Sequence, residues 1–148
     1  SWPFPTELND VPGELLRKKG CEYGATTGLP RRCGWLDIPA LKYAIMVNGT
    51  TKLFMMKSDI LSGFKSIKVC TSYKVDGKDQ NEIPFDNNSK IVPVYAELPG
   101  WDEDITGIRD YKGLPQNLKR YVEFIEIQTG LPVSIVSVGP DRNATIFR

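Results

Sequence analysis

The sequence predicts an α/β fold. Two apolar runs of strand length lack the alternation of a half-exposed strand: "KLFMM" at 52–56 and "LPVSIVSVG" at 131–139. Between them lies one strongly periodic helix, "LPQNLKRYVEFIEIQTG", in which Leu118, Tyr121, Val122 and Ile125 share a face and Gly130 marks the end. Strands interleaved with helices in this way favour a layered α/β domain over separate all-α or all-β units.

From the N-terminus, Thr6-Glu7 followed by "GELLRKKG" reads as a short helix or two, ending in basic residues and stopped by Gly20. Residues 24–35, "GATTGLPRRCGW", cannot continue a helix and are too polar for a buried strand. Asp37 is an N-cap and Pro39 fits a first turn. Leu41, Ala44, Ile45 and Asn48 then fall at helical spacing until "NG" at 48–49. "KLFMM" is expected to be buried on both faces, as in a central strand. "SIKVCTSYKV" is a strand running into the turn "DG" at 76–77. Residues 77–90 read as polar loop, with an irregular strand around Ile83 to Phe85. "IVPVYAEL" is a strand whose internal proline assigns it to an edge or a bulge. Residues 99–113 read as loop, with Trp101 as a packing anchor, and a further strand begins near the C-terminus.

Composition narrows the function. The chain has 148 residues, 41% hydrophobic and 25% charged, values of an ordinary globular domain. A net charge of +1 argues against nucleic acid as a partner. No apolar run spans a bilayer, so no membrane partner is expected, and "SWPFPTELND" has no signal-peptide pattern. Three cysteines, Cys21, Cys33 and Cys70, stand without a CxxC, and there is no histidine. Zinc is therefore not expected, and reduced thiols in a cytoplasmic protein are. Lack of histidine also removes the commonest general base near neutral pH.

Three stretches carry chemistry. In the first, Thr26 and Thr27 offer hydroxyls, Gly24 and Gly28 allow close backbone approach, and Arg31 and Arg32 can clamp carboxylates or phosphates; a solvated turn is the competing reading. In the second, Lys57, Ser58 and Asp59 follow an apolar strand, where ligands of α/β sheets sit. A carboxylate there matches the two adjacent donors of guanine, N1–H and the exocyclic amine; a helix cap at Asp59 is the alternative. In the third, Ser137, Val138 and Gly139 in "SVGPDR" end the other apolar strand and line a base or ribose, or form a plain turn. No Walker A, GxGxxG or nucleophile-elbow pattern occurs.

Taken together and in order, "PFPTEL", "GELLRKKGCEYGATTGLPRRCGWLD", "MMKSD", "VYAELPGW" and "SVGPDR" resemble the C-terminal third of the adenylosuccinate synthetases, and "TKLFMMKSDIL" is similar to their bacterial branch. The resemblance runs from Pro3 to the end. It implies that residues 1–148 are the C-terminal guanine- and aspartate-binding portion of a larger, mostly parallel-sheet, P-loop-like nucleotide-binding fold, with the N-terminal catalytic part absent. It implies a cytoplasmic ligase of purine biosynthesis joining IMP and L-aspartate at the expense of GTP, giving GDP, with Mg2+ held by the missing part, and a homodimeric parent. The aspartate and IMP loop then falls on Ala25, Thr26, Thr27, Gly28, Leu29, Pro30 and Arg31. GTP contacts fall on Arg31, Lys57, Ser58, Asp59, Ser137, Val138 and Gly139. No catalytic or metal residue is expected in this chain, which is expected to be inactive alone. Two departures from the family pattern stand out: Leu29 replaces an arginine, and Trp2 precedes Pro3 where glycine is usual. They leave a second reading, a non-catalytic nucleotide-binding or interaction module derived from the family.

Overall fold

A computed structural model describes residues 4–84 and 89–148. Trp2, Pro3 and Phe85 lie outside the described residues. The architecture is α/β, and the described residues form helices α1 (Val11–Lys19), α2 (Ile38–Asn48) and α3 (Gln116–Thr129) and seven strands in two sheets.

Local chemistry sets the helix ends. Asp10 caps α1 through the Gly13 amide at 3.2 Å, and Arg17, Lys18 and Lys19 lie at its C-terminus, where the helix dipole favours cations. Thr6 and Glu7 lie outside that helix; Glu7 instead bridges to Gly34. Asp37 caps α2 through the Ala40 amide at 3.0 Å, and Gly49 ends it in the left-handed conformation. Gly130 ends α3 in the same way, and the face made by Leu118, Tyr121, Val122 and Ile125 is buried as its spacing predicts.

The first sheet is built on β3 (Ser66–Val75). Strand β5 (Ile91–Pro99) pairs antiparallel along one whole side of it. The other side is shared by β1 (Leu36–Asp37), parallel, and β4 (Lys78–Gln80), antiparallel. Asp76 and Gly77 join β3 to β4 with φ of 50° and 84°, as a two-residue hairpin turn requires. Pro93 sits on the edge strand opposite Tyr73, and β3 bulges between Cys70 and Ser72. The second sheet has the order β2 (Leu53–Met55), β6 (Val133–Ser137), β7 (Thr145–Phe147); β2 and β6 are parallel, with Met55 opposite Val136. Ile67, Val69, Ile105, Leu118, Val122, Val136 and Ile146 form the centre of the core.

Three expectations need correction. Strand β2 is an edge strand with one neighbour, not a strand buried on both faces; Phe54 is 56% exposed and Met56 also faces outward, because no described element covers that side. On α2, Leu41 and Ile45 are half-buried, but Ala44 and Asn48 are exposed; the Asn48 amide donates to the Ala44 carbonyl at 2.8 Å. Residues 78–80, read as loop, form a strand, while Ile83 and Pro84 do not.

Asp37 also ties the layers together. Its carboxylate accepts the buried Tyr73 hydroxyl at 2.6 Å, and burial together with this bond pushes the phenol well above its usual range. Nearby, burial pushes the Cys70 thiol up to about 11, so it packs as a small apolar group. Tyr73→Phe is expected to cost about 1 kcal/mol, because one bond is lost while Asp37 keeps the Ala40 amide. The shift of the denaturation midpoint measures it.

Candidate functional site

The loop at 24–31 is held from within. The Gly24 amide donates to the Leu29 carbonyl at 2.8 Å, the Gly28 amide donates back to the Gly24 carbonyl at 2.8 Å, and the Arg31 amide donates to the Glu22 carbonyl at 2.9 Å. Two glycines have separate reasons. Gly28 has φ of 66°, and a Cβ on Gly24 would come within 2.6 Å of Thr27 Oγ1. These bonds occupy some of the amides expected to meet a ligand. Among the described residues, the amides of Ala25, Thr26 and Thr27 keep no backbone partner, and they sit together in the turn beside two threonine hydroxyls. All of 25–31 is exposed, including Pro30; Leu29 is 66% exposed, and its amide makes only a long contact to Thr27 Oγ1 at 3.4 Å.

The second and third stretches meet at one edge. Because β2 and β6 run parallel with Met55 opposite Val136, residues 57–59 and 137–139 leave the sheet at the same carboxyl end. Lys57 is left-handed, with φ of 57°, and opens a single 3-10 turn at Ser58–Leu61. That turn has no side-chain cap, so Asp59 does not serve as one. Instead Asp59 Oδ1 and Ser58 Oγ are buried without a hydrogen-bond partner among the described residues. A buried acceptor and a buried hydroxyl left unpaired at a strand end are costly in isolation. Opposite them, Ser137 Oγ donates to the Gly139 carbonyl at 3.1 Å, and the Val138 amide donates to the Ala144 carbonyl at 2.8 Å. A Cβ on Gly139 would meet the Ala144 methyl at 3.2 Å, so the turn is closely packed. Beneath the edge, Ser58 also borders a largely apolar cavity of about 240 Å³ lined by Leu53, Met55, Tyr121 and Ile125 among others.

The loop at 24–31 and the strand edge are joined by a residue that the sequence patterns passed over. Glu22 pairs with Arg31 at 3.5 Å and with the Lys57 ammonium, which also donates to the Gly20 carbonyl at 3.0 Å. Its place two residues before the glycine loop carried no spacing signal. Arg32 turns away from this group and forms a bidentate pair with Glu7, Nε to Oε1 at 2.6 Å and Nη2 to Oε2 at 2.5 Å; that bond raises the guanidinium's affinity for its proton. Desolvation pushes the Cys33 thiol up, away from the thiolate form.

Comparison with known proteins is consistent along the whole chain. A family model described as adenylosuccinate synthetase matches residues 1–146. A protein named adenylosuccinate synthetase from Christiangramia forsetii is 56% identical over 149 residues, covering 100% of this chain and 35% of its own length. One of the same name from Halothermothrix orenii is 55% identical, covering 99% and 35%. The solved structure of fully ligated adenylosuccinate synthetase from Plasmodium falciparum superposes with a TM-score of 0.95 at 39% identity, covering 100% of this chain and 36% of that one. The chain thus spans about a third of the length of the relatives it matches.

Proposed function

The chain belongs to the adenylosuccinate synthetase family, and from that premise we propose that it is the guanine-selecting and aspartate-holding portion of a GTP-dependent ligase of IMP and L-aspartate. The observation that carries this reading is the unpaired Asp59 and Ser58 pair at the shared carboxyl edge of β2 and β6. The Asp59 carboxylate matches the two adjacent guanine donors, N1–H and the exocyclic amine, with one oxygen for each. The Lys57 stem lies along the base, and the turn at Ser137, Val138 and Gly139 closes the other side. The amides of Ala25, Thr26 and Thr27, with the two threonine hydroxyls, hold the aspartate carboxylates, and Arg31 supplies positive charge between the two substrates.

In the reaction so proposed, IMP loses its N1 proton as the γ-phosphoryl group of GTP passes to O6, and GDP leaves. The aspartate amine then bonds to C6 as the C6–O bond breaks, phosphate departs and the nitrogen gives up a proton. Phosphorylation is needed because a carbonyl oxygen is a poor leaving group. The residues described here are read as binding and orienting ones. Magnesium is read as held outside this chain, and no step is assigned to it here; among the described residues no three His, Cys, Asp or Glu side chains converge. The whole protein is read as a cytoplasmic homodimer; no helix among the described residues is long and apolar enough to cross a membrane.

The test is adenylosuccinate formation from IMP, aspartate and magnesium with GTP or ATP as phosphoryl donor. The whole protein is expected to use GTP and not ATP, and the 148-residue chain alone is expected to give no turnover. Product from the isolated chain overturns the division of labour, and no product from the whole protein overturns the reaction. The module reading is favoured by one observation, Leu29 at a position where the family pattern has arginine.

A further inference from the structure

We propose that Glu22 is a positioning residue shared between the two substrate subsites, an inference that rests on the reading of those subsites given above. Its carboxylate is divided. Oε2 faces Arg31 at 3.5 Å, and Oε1 holds the Lys57 ammonium. The two cations come from segments separated by α2 and β2, and the proposed function gives one to aspartate and the other to guanine. No other acidic side chain of the described residues pairs with either of them.

The arrangement is not explained by stability. The Arg31 and Lys57 side chains are 59% and 51% exposed, and exposed ion pairs add little to folding. The positive φ of Cys21 belongs to the end of α1, where its amide donates to the Lys18 carbonyl at 3.2 Å, and that of Asp76 belongs to its hairpin; among the described non-glycine residues this leaves Lys57, with φ of 57°, as a left-handed residue outside a helix C-cap or hairpin. A left-handed lysine held at a junction that contributes little to folding points to a task other than folding. Glu22 is itself fixed at both backbone ends, its amide donating to the Arg17 carbonyl at 2.9 Å and its carbonyl accepting the Arg31 amide. Arg17 Nε in turn donates to the Arg31 carbonyl at 2.8 Å, so the Arg31 backbone stays in place when its side chain moves.

The two contacts differ in kind. The Arg31 contact is long and exposed, and an arriving carboxylate can displace it. Lys57 is held by Glu22 and by the Gly20 carbonyl together, which keeps its stem aligned for a flat base. Glu22 therefore competes with aspartate for Arg31 and supports guanine through Lys57. The two effects have opposite signs, and a residue that only stabilised the fold would not produce that pattern.

Glu22→Gln in the whole protein tests it, with Michaelis constants measured for GTP and for aspartate. The constant for GTP is expected to rise about three- to fivefold and that for aspartate to fall by a similar factor, with kcat little changed. In a Lys57→Met background the GTP effect is expected to vanish, because Glu22 acts on guanine through that side chain. A rise in both constants, movement of only one, or no change in either overturns the proposal while leaving the reaction intact. Absence of product from the unsubstituted protein overturns the reaction itself. If Glu22→Gln does not fold, Glu22→Asp, too short to reach both cations, is read by the same two constants.

Discussion

Asp59→Asn in the whole protein is expected to weaken the use of GTP and improve the use of XTP, by about 2–4 kcal/mol in relative specificity. The carboxylate of Asp59 accepts on both oxygens, and one of them, Oδ1, is buried with no partner among the described residues. Asparagine offers one acceptor and one donor. Its donor faces the exocyclic amine of guanine, so one bond becomes a repulsive contact between two donors. Xanthine carries an oxygen at that position and restores the match. The discrimination is large because a buried mismatched group stays unpaired. Steady-state kinetics with each nucleotide decide it. An unmoved GTP-to-XTP ratio removes Asp59 from the site; a capping role is already excluded by the uncapped 3-10 turn.

Leu29→Arg is expected to lower the Michaelis constant for aspartate about tenfold or more. A hydrogen bond to a charged group contributes about 1.5–3 kcal/mol, and about 1.4 kcal/mol is one decade. The geometry accepts the change. Leu29 is 66% exposed, and its backbone is already fixed by the bond from the Gly24 amide to its carbonyl, so a longer side chain displaces nothing packed. Aspartate titrations at saturating IMP and GTP measure it. If neither aspartate nor IMP dependence changes, the loop is set differently from the family pattern, and the module reading gains.

What the sequence made legible was local and repetitive. The α3 face needed only helical periodicity, since four residues at that spacing face a core whatever lies beyond it. The caps at Asp37, Gly49 and Gly130 follow from hydrogen-bonding capacity and left-handed freedom, which are properties of single residues. The strand ends that carry 57–59 and 137–139 were visible because both runs are apolar, and the meeting of those ends follows once the runs pair in parallel. What was hidden depends on partners. Lys78, Asp79 and Gln80 have no strand propensity; they become a strand because the tight turn at 76–77 folds them onto Tyr73, Lys74 and Val75. Phe54 reads as buried because apolar composition reports the surroundings a residue was selected for, while the sheet here ends at β2. Glu22 was hidden for a different reason, since its two partners lie nine and thirty-five residues away in the chain.

The pairing of β2 with β6 has a consequence for the order of events during synthesis. Leu53 finds its partner, Val133, only after β3, β4, β5 and α3 have all been made. The β3–β5 ladder and α3 can form from shorter stretches of chain, so they close earlier on a growing polypeptide. The edge bearing Asp59 therefore cannot close before the chain has been made through Ser137, and among the strand pairs of the described residues it is the one that closes the longest loop.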